Sequence, residues 1–387
     1  MTQPNTLPNV FVVNTPYQLL NAIEAVHSLQ LTTNHLVVIR PKNGAQDRFV
    51  PLIRVGDWET VSFPSVLHQP NRRVQKLLHP VVDRWYCRYL HFRQMYALAK
   101  LAARFHQVDR LFLGHYSDKW TLFMRHIANT IKYNTLYLLD DGTDTIEINE
   151  KRHGAESDEP GGRIDGSTSG VSVRKRIETH LRAVYWNLRL AEAPSITFFT
   201  TYDLSVRKSD RLIKNNHNYL RSLAPPQPVF MPDAVIFLGM CIVDDYIDMN
   251  AHLDFLAEVR AYFGEERMIY VAHPRDSESC VRRIKEHLNC EIWPCSSVIE
   301  HDLIVKGIKP KAIAAFPSSA LITLASLMDT DVEIVCFYIA PEYWIHWREN
   351  AVAAYDYIKS KVQKRVTIVP LCRPDKERIE VIPRMCH

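Results

Sequence analysis

The chain is 387 residues long, 47% hydrophobic and 23% charged, with a net charge of +4. That length exceeds one ordinary domain, so two domains with separate cores are expected, and the composition excludes a disordered chain and a membrane-spanning bundle. So small an excess of positive charge does not by itself imply nucleic acid as a partner.

The first residues, Met1 to Asn9, are polar and include prolines, and they lead straight into an apolar run. They have neither the basic nor the apolar region of a secretory signal, and no stretch of ~18 apolar residues follows, so a cytosolic location is expected. None of the eight cysteines forms a C-x-x-C pair or a Cys/His spacing suited to zinc, and they read as free thiols.

Val10 to Val13 reads as the first strand, and Pro16 opens a helix in which Leu19, Leu20, Ile23, Val26 and His27 share a face. Further strands are expected at His35 to Ile39, Arg110 to Leu113, Thr135 to Leu139 and Ser195 to Thr200. From Arg72 to Arg110, basic residues are interleaved with Trp85, Tyr86, Tyr89, Phe92 and Tyr96. This stretch is either a pair of helices with solvated cationic faces or a peripheral contact with an anionic membrane surface or glycolipid. Glu150 to Val173, rich in Gly, Ser and charged residues, is expected to be a mobile loop, serving as a substrate lid or as an uninvolved insertion.

Ala224-Pro225-Pro226-Gln227-Pro228 has the composition of a semi-rigid linker and places the boundary between domains of residues 1–224 and 225–387. Strands resume at Ala234 to Leu238, Met268 to Ala272, Glu291 to Trp293, Ala312 to Phe316 and Glu333 to Phe337. Helices between them are marked by Leu253, Leu256, Val259 and Tyr262, and by Leu321, Leu324, Ala325 and Met328. Strands alternating with helices in both halves predict an α/β chain of GT-B type, two doubly wound Rossmann-like domains facing a cleft.

Open α/β sheets bind ligands beyond the carboxyl ends of their strands. Here apolar runs end in Asp140-Asp141-Gly142, in His273-Pro274-Arg275 and in Pro317-Ser318-Ser319, and Leu238-Gly239 opens a loop carrying Asp244-Asp245. Transfer of a sugar to an acceptor hydroxyl needs a base, support for the leaving phosphate and tight positioning. Asp140, Asp141, Asp244 and Asp245 are candidate bases, although a lone Asp-Asp pair is more often a turn or a helix cap. His273 can protonate or hydrogen-bond a leaving phosphate near neutral pH, although an isolated His-Pro favours a structural role. Ser318 and Ser319 stand at the amino end of a helix, where they either bind phosphate or simply cap. Each motif alone is weak; the three in this order, each behind an apolar strand, are far more specific.

At these motifs the sequence resembles the bacterial lipooligosaccharide sialyltransferases, glycosyltransferase family 52, within the GT-B bacterial sialyltransferase superfamily. The resemblance rests on Asn14-Thr15-Pro16-Tyr17-Gln18-Leu19-Leu20-Asn21, Asp140-Asp141-Gly142-Thr143, Leu238-Gly239 with Asp244-Asp245, and His273-Pro274-Arg275. It continues through Val298-Ile299-Glu300, Ser318-Ser319-Ala320-Leu321 and Pro341-Glu342-Tyr343-Trp344, so it spans most of the chain. It implies inverting transfer of a sialic acid or related nonulosonic acid from its CMP-activated donor to a terminal sugar of a surface glycan or glycolipid, with no metal or other cofactor in the chemical step.

Carried over by motif, Asp245 or Asp244 is the general base and His273 the acid that assists departure of CMP. Ser318 and Ser319 contact the CMP phosphate, Glu300 holds the cytidine or ribose, and Gly239, Pro274 and Arg275 complete the donor side. Thr15, Gln18, Asp140, Asp141 and Gly142 border the acceptor. Many relatives carry Gln-Pro after the Leu-Gly, where this chain has Met240-Cys241, a departure that bears on donor and acceptor preference. The resemblance also leaves open a homodimer and contact with the inner face of the cytoplasmic membrane, but no heptad or apolar stripe in the sequence argues for a dimer.

Three other readings stand beside it. The same fold serves CMP-Kdo, CMP-legionaminic acid, CMP-pseudaminic acid or a UDP-sugar. Asp140, Asp141 and His273 also suit a metal-dependent hydrolase. A glycan- or nucleotide-binding protein without turnover is the third.

Overall fold

The computed structural model describes residues 7–39, 46–64, 89, 93, 96–97, 99–116, 122–157, 188–240, 243, 246–346 and 348–371. They form two compact units that divide between Ala224 and Pro225, except that residues 296–304 group with the first unit. Within that segment the Ser297 hydroxyl donates to the Arg48 carbonyl at 2.7 Å, and Glu300 to Leu303 are buried.

The first unit is built on strands β1 (Asn9–Val13), β2 (Asn34–Val38), β3 (Thr60–Ser62), β4 (Gln107–Leu113), β5 (Lys132–Leu139), β6 (Thr197–Thr200) and β7 (Arg211–Lys214). They hydrogen-bond in the order β3-β2-β1-β4-β5-β6-β7, each adjacent pair parallel. The chain winds outward from β1 to one edge, returns to β4 beside β1, and winds to the other. That is the Rossmann order, with its switch point between β1 and β4.

Central parallel strands are covered on both faces, so they read as unbroken apolar runs, and β1 is buried throughout. Phe11, Phe112 and Tyr137 sit at matching register on β1, β4 and β5. Their rings stack at 4.1 and 4.4 Å between centroids. Each such pair contributes on the order of 1 kcal/mol beyond the area it buries. The ladder fixes the register of three strands and so brings their carboxyl ends to one edge.

Helix α1 (Pro16–Ser28) starts with Thr15 as its cap and Pro16 in its first turn. Leu19, Leu20, Ile23 and Val26 are buried as expected, but His27 is exposed and stacks on Tyr219 at 3.5 Å instead. The inward face also carries Asn21 and Glu24. Asn21 accepts a hydrogen bond from Asn215 at 2.8 Å, and Glu24 accepts from the main-chain N–H groups of Tyr219 and Leu220. The chain continues through α2 (Gln46–Val55), α3 (Leu122–Ala128), α4 (Asp144–Ser157) and α5 (Asn218–Ser222).

Helix α4 corrects the loop expected from Glu150. Its first turn carries Asp144 and Glu147, favourable at a helix amino end, and Glu147 pairs with Lys151 one turn on at 2.6 Å. The buried Arg152 makes two bonds of 2.7 Å to the Asp210 carboxylate, which tie the helix to the chain before β7. Residues 158–173 of that expected loop lie outside the described residues, as does most of the basic, aromatic stretch from Arg72 onward.

The second unit repeats the plan with β8 (Val229–Leu238), β9 (Arg267–Val271), β10 (Glu291–Trp293), β11 (Ile308–Ala315), β12 (Glu333–Tyr338) and β13 (Thr367–Pro370). The order is β10-β9-β8-β11-β12-β13, again all parallel, with the switch point between β8 and β11. Helices α6 (Met249–Phe263), α7 (Glu278–Leu288), α9 (Ser319–Leu327) and α10 (Arg348–Tyr357) accompany them, while α8 (Ile299–Val305) lies almost wholly in the segment that groups with the first unit. Phe237 anchors this core, stacked 6.1 Å from Tyr270 and edge-on to Phe316 at 5.3 Å.

The chain is thus an α/β protein with two doubly wound, Rossmann-like domains in succession. Strands β3, β7 and β13 were not expected from sequence. All three are sheet edges, short and partly exposed, paired on one side only, so they need no apolar run. Among the described residues no helix is long and apolar enough to cross a membrane.

Candidate active site

Each unit gathers polar groups at the carboxyl ends of its central strands. In the second unit, β8 is flanked by β9 and β11, with Leu238 opposite Val271 on one side and Ala315 on the other. The residues just beyond are Gly239, His273 and Ser318, so three of the expected site residues leave one edge of the sheet at its switch point.

Gly239 is where the chain passes closest. A Cβ there would lie 2.5 Å from the Tyr270 hydroxyl and 2.7 Å from the Val271 carbonyl, which accepts the Gly239 N–H at 2.8 Å. Only glycine lets β8 end against β9 in this way. Asp244 and Asp245, in the loop that follows, lie outside the described residues.

His273 is held by a tight turn. Its N–H donates to the Asp276 carboxylate at 2.8 Å, and the Asp276 N–H returns to the His273 carbonyl at 2.9 Å. The ring Nδ1 accepts the Arg275 N–H at 3.2 Å. An Nδ1 that accepts carries no proton, so the neutral ring carries its proton on Nε2. Pro274 and Arg275 are exposed on the turn. Burial raises the Asp276 carboxyl above its usual range, against the pull of the His273 N–H.

Ser318 caps α9, its hydroxyl accepting the Ala320 N–H at 3.2 Å, and Ser319 begins the helix. The amino end of α9 therefore brings the positive end of its dipole and two serine hydroxyls to the edge where His273 emerges, an arrangement suited to phosphate. Glu300 lies in the first turn of α8, within the segment that groups with the first unit. It is almost wholly buried, and burial pushes its pKa up to about 7.

In the first unit, Thr15 follows β1, Gly114 and His115 follow β4, and Asp140-Asp141-Gly142 follow β5. Two of the residues expected on the acceptor side are fully buried. Gln18 is 0% exposed; its Oε1 accepts the Asn14 N–H at 2.8 Å, and it packs so closely on Gly114 that a Cβ there would meet Oε1 at 2.1 Å. Asp140 is likewise 0% exposed, with Oδ2 accepting the Thr201 N–H at 2.7 Å. Burial pushes Asp140 up to about 6, against hydrogen bonds from Thr200 and Thr201. Both brace the edge from within rather than offer a surface to a substrate.

Thr15, Asp141 and Gly142 remain partly exposed. The Thr15 hydroxyl accepts the Gln18 N–H at 3.2 Å as the cap of α1. Gly142 adopts φ of +65°, the left-handed region that turns the chain from β5 into α4. Asp141 points its Oδ2 to 2.8 Å from Nδ1 of His115.

His115 and Asp276 were missed in the sequence. His115 had a visible signal, since it follows the apolar run of β4 through Gly114 as His273 follows that of β9. Asp276 had none, because an aspartate three residues after a histidine shows its purpose only once the turn is formed.

No family model matches the chain, and no curated protein matches it in sequence. Among solved structures it is similar to the α/β-galactoside α-2,3-sialyltransferase of Photobacterium phosphoreum, at 11% identity over 94% of this chain and 99% of that one, with a TM-score of 0.43. It is similar also to the 2,6-sialyltransferase of Photobacterium sp. JT-ISH-224, crystallised with CMP and lactose, at 12% identity over 93% of this chain and 78% of that one, TM-score 0.45. A third is Arabidopsis thaliana UGT89C1 complexed with UDP-L-rhamnose, at 10% identity over 95% of this chain and 86% of that one, TM-score 0.47. Likeness of this degree assigns no activity to this chain.

Proposed function

We propose that the protein is an inverting glycosyltransferase that moves sialic acid, or a related nonulosonic acid, from its CMP-activated form to a terminal sugar of a surface glycan, without a metal in the chemical step. The observation that carries this reading is the second unit's strand edge. There the Nε2 proton of His273, the amino end of α9 and the close passage at Gly239 share the switch point of one Rossmann-like sheet.

Such a donor carries its phosphate on a tertiary anomeric carbon beside a carboxylate. Cleavage leaves an oxocarbenium-like centre and a CMP phosphate that gains charge. His273 donates a hydrogen bond to that phosphate from Nε2, and the Ser318 and Ser319 hydroxyls with the amino end of α9 receive its oxygens. Asp245, with Asp244 beside it, takes the proton of the attacking acceptor hydroxyl. The motif resemblance gives Glu300 the nucleoside, Pro274 and Arg275 the rest of the donor side, and Thr15, Asp141 and Gly142 the acceptor side in residues 1–224.

The test is CMP release by purified protein in EDTA, offering CMP-N-acetylneuraminic acid, CMP-Kdo, CMP-legionaminic acid, CMP-pseudaminic acid and a UDP-sugar, each with and without a galactose-terminated acceptor. Acceptor-stimulated release from CMP-N-acetylneuraminic acid is expected. Stimulated release from another donor alone reassigns the donor, and no release from any of them overturns the reading in favour of a binding protein or a metal-dependent hydrolase.

A further inference from the structure

At the switch point of the first unit, three side chains that the proposed transfer chemistry does not use together converge from three elements. His115 leaves the end of β4, Asp141 the end of β5, and Asp144 opens α4. One potential donor atom from each lies within 4.8 Å of the other two.

The imidazole is what makes this more than an acidic cluster. His115 is 2% exposed, and its Nε2 has no hydrogen-bond partner among the described residues. Nδ1 is held 2.8 Å from Asp141 Oδ2 as an ion pair. A buried ring nitrogen left without a partner is costly. A cation between the two atoms would use both lone pairs. At metal–ligand bonds of about 2.0–2.2 Å, neighbouring donors stand about 3 Å apart, close to the 2.8 Å between Nδ1 and Oδ2.

We infer that His115, Asp141 and Asp144 form a binding site for one divalent first-row transition ion, Mn²⁺ or Zn²⁺. One imidazole nitrogen with two carboxylate oxygens suits these ions better than Mg²⁺ or Ca²⁺, which favour oxygen alone. Three protein ligands leave coordination positions for water or sugar hydroxyls. The ion ties the Asp141–Asp144 turn to the end of β4, in the unit that does not hold His273.

The test uses Mn²⁺ as the probe, because the free thiols of Cys280, Cys290, Cys295 and Cys336 would compete for Zn²⁺. Titration of the full chain with Mn²⁺, followed by electron paramagnetic resonance, is expected to show one bound ion with nitrogen modulation from an imidazole. His115→Ala is expected to abolish that modulation, and Asp144→Asn to weaken binding by more than about 10-fold, the loss that even outer-shell partners cause. Asp144 is partly exposed at a helix end, so its variant tests the site even if the buried His115→Ala variant fails to fold. No bound Mn²⁺ at millimolar concentration, or binding that both variants retain, overturns the inference and leaves His115 and Asp141 as an ion pair only. None of these readouts needs turnover, so their failure is distinct from failure of the CMP-release assay.

Discussion

The Asp276 carboxylate receives the main-chain N–H of His273 at 2.8 Å while the Asp276 N–H bonds back to the His273 carbonyl at 2.9 Å. The reciprocal pair closes the turn on which the imidazole rides, so the orientation of His273 depends on a residue that need not touch a substrate. Asp276→Ala is expected to lower kcat about 10-fold or more, since a hydrogen bond to a carboxylate contributes about 1.5–3 kcal/mol, while donor KM changes little. Asp276→Asn, which keeps an acceptor oxygen, is expected to recover most of the rate. Steady-state kinetics of both variants check this, and equal loss in both would show that the charge rather than the turn matters.

For the acid and the base, His273→Ala and Asp245→Ala are each expected to reduce turnover by about 10²–10⁴-fold, the range for positioned proton-transfer groups. Circular dichroism should show both folded. Wild-type rates in both would remove the proposed roles.

Ser318 and Ser319 separate a stability role from a binding role. Ser318→Ala removes the cap of α9 and is expected to cost about 1 kcal/mol in urea unfolding, along with a raised donor KM. Ser319→Ala removes no cap, so its effect is expected in KM alone. A Ser319 variant indistinguishable from wild type in KM would argue that the helix N–H groups suffice.

Gly239→Ala forces a methyl to 2.7 Å from the Val271 carbonyl, a main-chain atom that cannot rotate away. The expected loss is about 1–3 kcal/mol, read as a lowered Tm, together with reduced turnover because the loop bearing Asp244 and Asp245 starts here.

Glu300 makes stability depend on pH. Its pKa rises from the ordinary 4.5 to about 7 through burial, so the folded chain holds this proton more tightly than the unfolded one. The contribution is full below about pH 4.5 and is lost as pH rises through about 7, by roughly 3 kcal/mol in all. Glu300→Gln, which cannot ionise, should match wild type near pH 4.5 and exceed its stability at pH 8. Urea denaturation at the two pH values decides it; parallel curves would mean the carboxyl ionises without cost.

The sequence by itself determined the central strands, because a parallel strand covered on both faces must be apolar throughout, as Val10 to Val13 and Ala234 to Leu238 are. It also fixed the polar residues that end those strands, since Asp140-Asp141-Gly142, His273-Pro274-Arg275 and Ser318-Ser319 stand directly behind apolar runs. Only the tertiary structure decided which of these are braces and which face outward. Asp140 and Asp141 are neighbours of one chemical type, yet the alternation of an extended chain turns one inward to Thr201 and the other toward His115. The same holds for edge strands such as β7, whose Arg211 to Lys214 become a strand only by pairing with β6, and for residues 296–304, which group with the first unit although the chain on either side belongs to the second. Local pattern records what a residue is; burial and pairing depend on chain segments far away, and those are set by packing.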